Sequence, residues 1–90
     1  MRRYICEDFQ NIRHNREDVD DIDDAAGIFA GRMARRDYGR SGLVAHCNRE
    51  GWSEDFTSVN YSAFVGFTSE PGQISFCGHN VHFTVVQVVT

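Results

Sequence analysis

The hydrophobic period of this chain changes once. Between Ile22 and Met33 the apolar residues stand three and four apart, and from Gly42 to Val89 they alternate with polar ones. A period near 3.6 lays side chains along one face of a helix, and a period of two lays them along one face of a strand. The chain is therefore expected to hold one helix followed by a sheet.

The helix is expected at about 21 to 38, with Ile22, Ala25, Ala26, Phe29, Ala30 and Met33 on its apolar face. Asp20 or Asp21 can cap its start, Arg32, Arg35 and Arg36 favour the negative end of its dipole, and Gly39 is a stop. Gly27 and Gly31 inside it are expected to let the helix lie close to the sheet. Strands are read at 3–9, 43–47, 56–67, 74–77 and 81–89, and Gln10 to Arg16 as a polar connection. Asn48 to Gly51, Glu70-Pro71-Gly72 and Gly78-His79-Asn80 read as turns. The expected fold is α+β: one amphipathic helix packed on a four- to five-stranded, mainly antiparallel sheet, in the order β-α-β-β-β-β.

At 90 residues the chain has material for one core, so residues 1–90 form a single domain. An apolar fraction of 41% with eleven aromatic residues supports that core. No run approaches the roughly 20 apolar residues of a membrane helix, and MRRYICEDFQ carries charges where a signal peptide is apolar, so no membrane role and a cytoplasmic location are expected. Cys6, Cys47 and Cys77 are odd in number and widely spaced, which suits reduced thiols in the core. All nine basic residues are arginine, whose planar guanidinium makes bidentate contacts with carboxylates and phosphates.

The most unusual local feature is EDVDDIDD, residues 17–24, with six acids in eight positions. A calcium loop starting at Asp18 fails, because Ile22, Asp23 and Phe29 stand where a ligand, a glycine and a glutamate are needed. Two readings remain: a solvated, heavily capped helix start, or a recognition surface steered toward a basic groove. The second makes Glu17, Asp18, Asp20, Asp21, Asp23 and Asp24 the candidate partner-binding residues.

His46, Cys47, Cys77, His79 and His82 offer nitrogen and sulfur donors, but not at the spacing of a zinc site, and on one strand His79 and His82 point to opposite faces. No nucleophile with a positioned base and no phosphate loop is evident, so no catalytic residue, metal or cofactor is expected. Arg32, Arg35, Arg36 and Arg40 form one basic cluster, but the net charge of −4 argues against direct nucleic-acid binding.

A small acidic domain with one alanine-rich helix, AAGIFAGRMARR, the EDVDDIDD run and a following meander resembles the small phage-encoded accessory proteins, and among these the anti-CRISPR inhibitors. The resemblance covers general organisation over most of the chain. It implies a non-enzymatic inhibitor in the cytoplasm of an infected bacterium. Such a protein binds the Cas proteins of a surveillance complex and blocks DNA binding or nuclease recruitment. Two other readings stand beside it: a metal-binding or catalytic protein using His46, Cys47, Cys77 and His79, and a homodimer pairing through a strand edge at Val81 to Val89.

Overall fold

The structure is a computed structural model that describes residues 2–8, 13–52, 54, 57–68 and 76–88, the stretch 13–17 by its backbone. Its elements are β1 (Arg2–Asp8), β2 (Arg13–Val19), α1 (Ile22–Tyr38), a 3₁₀ turn (Gly39–Ser41), β3 (Leu43–Trp52), β4 (Val59–Thr68) and β5 (Phe76–Val88). The strands form one antiparallel sheet in the order β2-β1-β5-β4-β3. A first hairpin occupies one side, α1 crosses the sheet, and a three-strand meander returns from the far edge to lay β5 against β1.

The expected α+β architecture of one helix on an antiparallel sheet stands, but the element order is β-β-α-β-β-β. The expected polar connection contains β2, whose sequence RHNREDV has no alternating apolar residues. It is an edge strand held by backbone pairing to β1, from Arg2↔Val19 to Asp8↔Arg13, and so needs no apolar face. The expected break at 78–80 is also absent. Gly78 lies directly opposite Gly66, and a Cβ on either would come within about 2.1 Å of the facing backbone carbonyl oxygen. These glycines permit close passage of two strands rather than a turn. The Glu70-Pro71-Gly72 turn lies outside the described residues.

α1 covers the face bearing Tyr4, Cys6, Val59, Tyr61, Ala63, Val65, Val81, Phe83 and Val85, all buried. It turns Ala25, Ala26, Phe29, Ala30, Met33 and Ala34 onto them, and the alanines allow a close approach. Phe29 meets Phe83 edge-on at 5.0 Å, and Tyr61 stacks on Phe83 at 5.6 Å. Gly27 and Gly31, contrary to expectation, lie away from the sheet; the close-packing role belongs to the alanines. Of the cysteines, Cys6 is in the core, Cys47 is half-buried and Cys77 is exposed, all as free thiols. No described helix is long and apolar enough to cross a membrane.

Candidate functional site

The site begins with two irregularities in β3. Pairing to β4 slips once between Val44 and His46 and again between Arg49 and Gly51, leaving Ala45 and Glu50 as extra residues. Each slip reverses which side chains point toward the helix. After the first, Cys47 and Arg49 share the helix side with Ala63 and Tyr61; after the second, Trp52 joins them opposite Val59. Without the second bulge Trp52 would lie on the opposite face.

Trp52 is 60% exposed, the most exposed of the large apolar side chains among the described residues. It forms one wall of a cleft of about 370 Å³ with Arg49. Asp20, Asp21 and Ile22 at the start of α1 form the facing wall, Tyr4 and Val59 lie beneath, and Arg2 and Gln87 complete the rim. Five elements and the β2–α1 connection thus converge where the helix begins. An exposed indole facing carboxylates suits a cationic side chain, and the two arginines can hold a carboxylate in the bidentate manner of guanidinium.

The cleft is braced from behind. Asp23 accepts a hydrogen bond from the Tyr61 hydroxyl at 2.5 Å and another from Arg49 at 2.9 Å, both on one carboxylate oxygen. The Tyr61 bond, then the Arg49 bond, hold the Asp23 carboxyl below its ordinary range. Burial, and then donation to Asp23, push the Tyr61 hydroxyl well above its usual value. Burial also raises the half-buried Cys47 thiol, with Asp23 adding to the effect. This thiol is therefore a poor nucleophile.

The acidic run does not form one patch. Asp18 projects from the edge strand and pairs with Arg3 at 3.3 Å. Asp21 caps the helix by accepting from the Asp23 backbone N–H at 3.0 Å. Asp20 and Asp21 line the cleft, Asp23 braces it, and Asp24 sits on the outward side of the helix. Glu17 lies on β2 opposite Tyr4. Trp52, Arg49, Arg2 and Gln87 are not announced by the acidic pattern; the one hint is that the sole tryptophan stands in the polar stretch 48–55.

The histidines and cysteines do not converge. By register His46 faces away from α1 with Phe64, where it stacks on that ring and accepts from Asn48, whereas Cys47 faces the helix. His79 and His82 take opposite faces of β5, as expected. Among the described residues no three of His, Cys, Asp or Glu are placed to hold a metal. His79 instead belongs to a chain of contacts at the far end of α1. Its Nδ1 lies 2.5 Å from the Tyr38 hydroxyl and its Nε2 3.6 Å from Asp37. Asp37 in turn takes two bonds from Arg36, at 2.6 and 2.8 Å. Arg36 also approaches the buried Asp8 at 3.7 Å, and its pKa is raised chiefly by Asp37.

The expected dimer edge is corrected as well. β5 is the middle strand of the five rather than an edge, paired to β4 over 76–85 and to β1 over 83–88, with residues 83–85 flanked on both sides. No known family model matches the sequence, and no curated protein or solved structure is detectably similar to it.

Proposed function

We propose that the chain is a non-catalytic protein-binding module that seats a basic segment of its partner in the Trp52 cleft. The observation that carries this reading is the exposed indole facing Asp20 and Asp21 across a cleft assembled from distant parts of the chain. Tryptophan set in a partly formed pocket is a common anchor of protein interfaces, and flanking carboxylates add charge selection and faster encounter. The net charge of −4 points the same way.

The resemblance of the sequence to anti-CRISPR inhibitors extends the proposal to a partner. The module acts in the cytoplasm of an infected bacterium, binds Cas proteins and blocks DNA binding or nuclease recruitment. It does so stoichiometrically, without metal or cofactor.

The test is an affinity pull-down of the tagged chain from lysates of CRISPR-bearing bacteria, with Trp52→Ala and Asp20→Asn alongside. Asp21 and Asp23 are left intact because they cap the helix and brace the cleft. Recovery of Cas subunits by the native chain and their loss with Trp52→Ala is the expected result. Equal recovery by both moves the contact away from the cleft, and failure of the native chain to hold any Cas subunit removes the proposed partner.

A further inference from the structure

The outward side of α1 borders a second groove of about 620 Å³, between Val19 of β2 and the helix residues Asp24, Gly27, Ile28, Gly31 and Arg35. Glycine in a helix interior is destabilising relative to alanine. The protein's own packing gives no reason for it here. A Cβ at position 27 would meet nothing within 4 Å, and one at 31 would meet only the Arg35 guanidinium, at 3.6 and 3.8 Å. Ile28 stands beside these depressions, 37% exposed. Asp24 and Arg35, both exposed, bound the groove at opposite ends, eleven residues or roughly 16 Å apart along the helix.

We propose that this groove receives α1 of a second copy of the chain, antiparallel and related by a two-fold axis. Positions 24, 28, 31 and 35 are spaced by four, three and four, the spacing of a straight helix-helix seam. A two-fold axis passing between positions 29 and 30 pairs 24 with 35, 28 with 31 and 27 with 32. Each Asp24 then meets Arg35 of the second copy, and each Ile28 enters the depression at Gly31 of the second copy. Every contact occurs twice, as a closed two-fold interface requires. A parallel arrangement in the same register sets Asp24 against Asp24 and Arg35 against Arg35, so the charges select the antiparallel one. The surface is distinct from the Trp52 cleft and its partner.

Sedimentation velocity over a dilution series tests it. The native chain is expected to pass from twice its 10.2 kDa mass to 10.2 kDa as it is diluted. Gly31→Gln fills the depression with a better helix former, so loss of the dimer with helical circular dichroism retained is not attributable to unfolding. Asp24→Arg is expected to be monomeric, and Asp24→Arg combined with Arg35→Asp to dimerise again. A native chain that stays monomeric throughout, or a Gly31→Gln chain that still dimerises, overturns the proposal. Failure of the folded double variant to recover overturns the antiparallel register.

Discussion

At its N-terminal end α1 stands beside an open cleft, and at its C-terminal end it is tied to the sheet by charge. The first end places two carboxylates, two guanidinium groups and an exposed indole around a gap. The second runs from buried Asp8 through Arg36 and Asp37 to His79 and Tyr38. Both ends combine aspartate and arginine with an aromatic ring. They differ in exposure: at the closed end Asp8 is buried and Arg36 and Asp37 are bonded to each other, and at the open end Asp20, Arg2 and Trp52 are exposed. Ionic residues in a small domain therefore cannot be assigned to binding from their number alone.

The largest blow to this contrast comes from the closed end. Arg36→Ala removes a cation beside Asp8, which is 5% exposed at its side chain, together with both bonds to Asp37, and is expected to cost about 2 kcal/mol, read as a lower urea midpoint. Asp21→Ala, at the open end, removes only the helix cap and is expected to cost about 1 kcal/mol in the same titration.

Tyr61→Phe removes one of two bonds to Asp23 and is expected to cost about 0.5–1 kcal/mol at neutral pH. The pH dependence sharpens this. The Asp23 carboxyl is depressed in the folded state, so its contribution is present above the unfolded value of 3.8 and is lost as pH falls through the lower folded value. The Tyr61 hydroxyl is raised, so its contribution is present below 10.0 and is lost as pH rises through the higher folded value. Urea midpoints measured across pH should fall at both extremes in the native chain and more gently in Tyr61→Phe. Ultraviolet titration of the native chain should show a late phase from Tyr61 that Tyr61→Phe lacks.

The smallest effect is expected at Trp52. Trp52→Ala should change stability by less than about 0.5 kcal/mol while abolishing partner capture. A loss comparable to Arg36→Ala would mean that the indole belongs to the core and that the two ends are alike.

The period of two and the period of 3.6 made α1, β4 and the buried stripe from Val59 to Val65 legible in the sequence, because burial on one face imposes the repeat. β2 was illegible because an edge strand can be held by backbone pairing alone. The continuity of β5 was hidden because a glycine opposite a glycine resembles a turn when only one strand is read. The cleft was half legible: the acids at 20 and 21 stand out, but Trp52 reaches them only through a bulge at Glu50, and a bulge is a property of two strands in register. The division of the acidic run among cap, brace and edge depends on Tyr61, Arg49 and Arg3, which are distant in sequence.

The bulges that aim Trp52 have a consequence for how the protein behaves when crowded. β3 is an outer strand of the sheet, and a flat outer strand offers its unpaired amides and carbonyls as a template for another chain. The extra residues Ala45 and Glu50 break that template into short pieces and twist it. The opposite outer strand, β2, is written almost entirely in polar and charged residues. A strand-by-strand route to fibrils is therefore obstructed at both margins, and concentrated solutions should stay clear of thioflavin-positive aggregates for as long as β3 keeps its kinks.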